Sequence, residues 1–128
     1  MSRENLEKLI LPVFFRHQIY IKMFHFQTNK YGAHKASDSY LEKFSANMDR
    51  FTEVMQGICG QVQNESMTLQ QFNFNEYRSI NQMISKMNEF INWLKTLDNF
   101  VNGESSLLTI RDEMLADAQQ FVYLLKFE

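Results

Sequence analysis

Apolar residues recur every three or four positions along most of the chain, the period of a helix that turns one face to a core. Leu6, Ile10, Val13, His17, Ile21, Phe24 and Thr28 make the first series, with Pro12 marking where regular helix can begin. It stops near Asn29. Residues 29–33, with Gly32 among them, read as a short connector, and short connectors make antiparallel neighbours, so the first two helices form a hairpin. Ala36, Tyr40, Phe44, Met48, Phe51, Met55 and Ile58 form the stripe of the second and longest helix, over residues 33–62, with its end near Gly57 to Gly60. Residues 61–73 are polar, less periodic and long enough to cross a bundle. Asn73 with Glu76 supplies a capping box for a third helix carrying Tyr77, Ile80, Met83, Met87, Phe90, Leu94 and Leu97. Gly103 breaks that helix, Ser105 or Ser106 caps the next, and Leu108, Arg111, Leu115, Ala118, Val122 and Leu125 run nearly to the end. The pattern predicts one all-α domain over residues 1–128, a four-helix bundle with a crossover between helices two and three.

Composition narrows the picture. At 128 residues and 45% apolar the chain has material for a single core. Four glycines and one proline are too few turn formers for a sandwich or barrel. A net charge of −2 lacks the electrostatic footprint of a protein that holds DNA through phosphate contacts. Cys59 stands alone, so no intrachain disulfide can form, which suits a reducing compartment. The longest apolar run, residues 9–15, falls far short of the ~20 residues of a membrane span, and no small-residue cleavage site follows it. A cytoplasmic protein with no membrane partner is expected.

The candidate chemistry lies on helix two, where His34, Asp38, Asp49 and Glu53 are spaced +4, +11 and +4. On a helical wheel they fall at roughly 0°, 40°, 60° and 100°, one stripe about 150° from the apolar centre. The stripe points away from the monomer core. Ser45, Ala46, Thr52 and Gly57 lie among these positions, short side chains that let a second helix approach. His34 and Glu53 are symmetric about the same midpoint as Asp38 and Asp49, between residues 43 and 44. That is the condition for two copies of the helix to pack antiparallel about a two-fold axis. The two pairs on one helix are roughly 22 Å apart, too far for one metal ion. Two-fold pairing instead makes two equivalent sites of mixed nitrogen and oxygen donors, suited to iron or manganese. His25, about as far before the hairpin connector as residue 37 is after it, should be level with Asp38. The predicted set is therefore His25, His34 and Asp38 from one subunit with Asp49 and Glu53 from the other.

Other polar and sulfur-bearing residues have plainer readings. His17 lies about 12 Å along the helix from His25, cannot share its metal, and reads as structural. Glu42 is near the two-fold centre and suits an interface hydrogen bond or iron uptake. Asp112, Glu113 and Asp117 read as a solvated face, with a pore or mineral-nucleating role as the alternative. Cys59, Trp93, Met83 and Met87 have the spacing of core filler. Neither of the last two helices offers Glu-x-x-His, so a di-iron oxygenase held within one chain is disfavoured.

The residues FHFQT at 24–28, AHKASD at 33–38 and DRFTE at 49–53 resemble the ferroxidase motif of Dps-type mini-ferritins, members of the ferritin-like superfamily. The resemblance implies a ferritin-like bundle with His25, His34, Asp38, Asp49 and Glu53 as iron ligands, in a two-iron-type centre shared across a dimer two-fold, where Mn or Zn could substitute. It implies oxidation of Fe²⁺ by H₂O₂ or O₂, iron storage, protection against peroxide, and self-association into a dimer or a larger cage. Residues 111–125 (RDEMLADAQQFVYLL) are similar to the last helix of a compact branch found in phages and other viruses, which implies the cytoplasm of a host cell. Three features depart from the family. The interval from His25 to His34 is shorter than in most members, and Phe26 stands where a Trp usually follows the first His. Residues 1–8 carry two basic and two acidic side chains, not a basic DNA-binding arm, so protection without strong direct DNA binding is expected. The alternative is a helical interaction or scaffolding protein that keeps the bundle and does no redox work.

Overall fold

The computed structural model describes residues 1–63 and 79–127 of the chain, and these form helices with no strand among them. A helical turn (Arg3–Asn5) and a π-helical segment (Leu6–Ile10) lead into α1 (Leu11–Gln27). There follow α2 (Tyr31–Cys59), α3 (Ile80–Lys95) with a 3₁₀ turn (Thr96–Asn99), and α4 (Ser105–Leu125).

Local chemistry explains the boundaries. The Ser2 hydroxyl accepts the Asn5 N–H at 3.0 Å and caps the chain start. Pro12 sits in the first turn of α1, where its missing N–H leaves no gap in the helix. The connector to α2 is shorter than the sequence pattern suggests, because the His34 N–H already bonds the Lys30 carbonyl at 2.9 Å. Gly32 therefore lies inside the first turn of α2. Gly60, at φ 104°, ends that helix in a conformation open to a residue without a side chain. Ser79 has an extended backbone and its hydroxyl accepts the Gln82 N–H, so α3 starts at Ile80. The expected capping box of Asn73 and Glu76, Tyr77 and most of the expected crossover lie outside the described residues. α4 differs from expectation at its start: Glu104, not a serine, occupies the cap position without a side-chain cap. Ser105 and Ser106 are already helical there.

Cross-helix contacts fix the directions. Between α1 and α2, Phe14 meets Phe51, His17 meets Tyr40 and His25 meets His34, so numbers rise along one helix as they fall along the other and the pair is antiparallel. Phe14 with Trp93, His17 with Phe90 and Tyr20 with Lys86 make α1 and α3 antiparallel too. Tyr40 with Phe121, Asn47 with Asp117 and Arg50 with Glu113 do the same for α2 and α4. α2 and α3 therefore point the same way.

The core is aromatic in its middle layers. Phe14 presents its edge or face to Phe44, Phe51 and Trp93 at centroid distances of 5.7, 5.5 and 5.7 Å, the T-shaped geometry favoured by ring quadrupoles. On α2 the buried stripe runs through Ala33, Ser37, Tyr40, Phe44, Met48, Phe51 and Met55, while Ala36 is half-buried and Ile58 is exposed. On α4 the most buried positions are Leu107, Ile110, Met114, Ala118, Phe121 and Leu125, with Leu108, Leu115 and Val122 half-buried beside them. The stripe is this wide because α4 packs on both α2 and α3. Arg111, which the periodicity puts among the apolar residues, is held by the Leu94 carbonyl at 3.0 Å and Asp98 at 3.1 Å. Among the described residues no helix is long and apolar enough to cross a membrane.

Candidate functional site

The α1–α2 hairpin brings His25 and His34 face to face. Their rings stack with centroids 3.9 Å apart at 17°. His25 Nδ1 lies 3.0 Å from the His34 carbonyl, and His34 Nδ1 lies 2.8 Å from the His25 carbonyl. A carbonyl oxygen only accepts, so both Nδ1 atoms are the donors. In the neutral ring this fixes the tautomer and leaves the Nε2 lone pair free, as in metal-binding imidazoles whose other nitrogen is anchored to a carbonyl. Ser37, fully buried one turn on, donates to the same His34 carbonyl at 2.9 Å and lies 3.2 Å from His25 Nδ1. The short connector enforces all of this. Neither Nε2 has a hydrogen-bond partner among the described residues.

The carboxylates are placed differently. Asp38, Asp49 and Glu53 are exposed on the outer face of α2. Neither they nor Glu42 form a hydrogen bond or ion pair among the described residues. Two basic residues of the same helix turn to α4, where Lys43 donates to Gln120 and Arg50 pairs with Glu113, while Lys35 is exposed near the stripe with no ion pair among the described residues. Among the described residues the acidic stripe thus forms no ion pair. Asp49 and Glu53 border a groove of about 380 Å³ floored by Leu11, Phe15 and Met48. His25 faces His34 and Ser37, and Ser37 is the residue before Asp38 on α2. Among the described residues no three His, Cys, Asp or Glu side chains of one chain converge to hold a metal ion.

The small residues of α2 do not all face outward. Ser45 accepts a hydrogen bond from Gln18 at 3.1 Å, and Thr52 Oγ1 is enclosed without a partner among the described residues. Ser45 is thus drawn to α1, whereas Ala46 and Gly57 stay exposed. Asp117 accepts from Asn47 and Glu113 pairs with Arg50, so these acids meet α2, while Asp112 stays at the surface with Arg111. Met83 and Met87 are fully buried; Trp93 and Cys59 are half-buried, and the Cys59 thiol donates to the Met55 carbonyl. His17 is buried, bonded to the Tyr40 hydroxyl at 2.7 Å, and burial lowers its pKa to about 3. Burial, and then the charge of Asp117, raises the Tyr40 phenol well above its ordinary range. Ser37 and Thr52 are the residues that periodicity overlooks, since a hydroxyl on the inward face carries no pattern of its own.

Residues 25–125 match the model of a family described as a family of unknown function (DUF5856), a span that contains all five candidate ligands. No curated protein and no solved structure matches the chain.

Proposed function

The chain belongs to the DUF5856 family, whose function is unknown, and from the chemistry of its hairpin end we propose that it binds and oxidises ferrous iron at sites shared between two copies. The observation that carries this reading is the reciprocal anchoring of His25 and His34 by each other's carbonyl. It orients two imidazoles, whose Nε2 atoms have no hydrogen-bond partner among the described residues, at a surface with nearby carboxylates that form no ion pair among those residues.

In the two-fold arrangement, His25, His34 and Asp38 of one copy face Asp49 and Glu53 of the other across packed α2 helices. The donor set fits Fe²⁺ as substrate, because imidazole suits the ferrous ion and carboxylate oxygens suit the harder ferric product. Two Fe²⁺ ions give one electron each to hydrogen peroxide. Its O–O bond breaks, and two protons complete two waters. Dioxygen as oxidant takes the same two electrons and two protons to give peroxide. The chain's part is to hold the ions in reach of the oxidant and balance the charge gained. The parallel direction of α2 and α3 supports a ferritin-like bundle with a crossover between them. Iron storage and removal of peroxide follow if copies assemble into a cage, and the net charge of −2 favours protection without strong DNA binding.

The test is to load the protein with Fe²⁺ without oxygen, admit peroxide and follow ferric absorbance. A burst faster than protein-free solution, lost in His34→Ala, is expected. A rate equal to that of free iron would leave a helical scaffolding protein as the better reading.

A further inference from the structure

α1 and α3 line a cleft of about 240 Å³. Two stripes of identical spacing line it, residues 13, 16, 17 and 20 from α1 and residues 86, 89, 90 and 93 from α3. Tyr20, Phe90 and Trp93 supply aromatic walls. His17 lies flat on Phe90, with centroids 3.5 Å apart at 9°.

The polar groups of this cleft are incompletely used. Lys86 reaches Glu89 at 3.4 Å and covers the Tyr20 ring. Arg16, half-buried at the rim, has no hydrogen bond or ion pair among the described residues. His17 is only 5% exposed, and its Nε2 is taken by the Tyr40 hydroxyl. With the Tyr40 O–H donating to Nε2, the proton of the neutral ring sits on Nδ1. His17 lines the cleft, and its Nδ1 has no hydrogen bond among the described residues.

We infer that this cleft binds a small one-ring aromatic monocarboxylate, its ring between the aromatic walls and its carboxylate on the Arg16 guanidinium with the His17 Nδ1–H as a neutral donor. A guanidinium fork matches carboxylate geometry, and an N–H without a protein acceptor favours ligands that supply one. The volume lies below the ~300 Å³ at which ligand pockets usually begin, which limits the ligand to a single ring. The inference is independent of the iron reading, since no candidate iron ligand touches the cleft.

Trp93, the chain's one tryptophan, reports on the site directly. Phenylacetate is titrated into the full chain and followed by Trp93 fluorescence and by calorimetry, with acetate and benzyl alcohol as probes of the carboxylate and ring alone. Saturable binding with a Kd between about 10 μM and 1 mM is expected, with both controls at least about tenfold weaker. Arg16→Gln, at the rim, should weaken phenylacetate at least about tenfold without lowering the melting temperature. His17→Phe keeps the ring stack and should also weaken it. Absence of saturation by phenylacetate, equal binding of benzyl alcohol, or full affinity in Arg16→Gln would overturn the assignment, whether or not His17→Phe folds.

Discussion

His25 and His34 hold each other through the main chain: each ring donates its Nδ1–H to the other residue's carbonyl, at 3.0 and 2.8 Å. The orientation of each imidazole thus depends on the other's backbone, and Ser37 braces both by donating to the His34 carbonyl.

Ser37→Ala should lower iron oxidation by about tenfold, the usual cost of removing a group that orients metal-bound imidazoles. Loss of one buried hydrogen bond should cost only about 1 kcal/mol of stability. Initial rates of ferric absorbance and a urea titration measure the two effects. A wild-type rate in this variant would mean that the imidazoles need no bracing.

His17 makes the bundle sensitive to acid. Its folded pKa is about 3 against an ordinary 6.5, so the unfolded chain takes up a proton that the folded chain refuses. Stability should fall as pH drops from about 6.5 towards 3, by up to ~5 kcal/mol at 1.36 kcal/mol per pH unit. Above pH 6.5 this contribution is constant. His17→Phe should flatten that part of the profile, and an unchanged slope between the two proteins would show that other groups cause it.

Thr52 Oγ1 is enclosed without a hydrogen-bond partner among the described residues. Thr52→Val keeps the shape and removes the unsatisfied hydroxyl, so it should stabilise the fold by about 1 kcal/mol. A lowered melting temperature would mean that the hydroxyl has a partner in the assembled protein.

Binding to duplex DNA should be no tighter than ~10⁻⁴ M at physiological salt, given the net charge of −2. A gel-shift titration without divalent cations checks this directly, and a tight complex would contradict it.

Much of the fold is legible in the spacing of apolar residues. Phe44, Phe51, Met83 and Met87 land in the core where a 3.6-residue period puts them. Boundaries are less legible, because capping is decided by backbone geometry: Glu104 and not a serine begins α4, and Lys30 starts the turn that absorbs Gly32. On α4 the period alone selects Leu108, Leu115 and Val122, but packing against two helices buries their neighbours more deeply. At the candidate site, the outward position of Asp38, Asp49 and Glu53 can be read from the wheel. The clasp between His25 and His34 cannot, since it depends on main-chain carbonyls that bear no sequence signature.

A mixing experiment tests the shared site most directly. One variant carries His34→Ala and Asp38→Ala, the other Asp49→Ala and Glu53→Ala, and each alone should be nearly inactive in iron oxidation while remaining folded, because the substituted side chains lie off the core. The two are unfolded together, refolded at equal concentration, and the formation of mixed dimers is confirmed by native mass spectrometry. About half of the dimers are then mixed, and each of these regains one intact site, so activity should return to about a quarter of wild type if the two sites are independent. Mixed dimers as inactive as their parents would contradict a site built across two copies of α2.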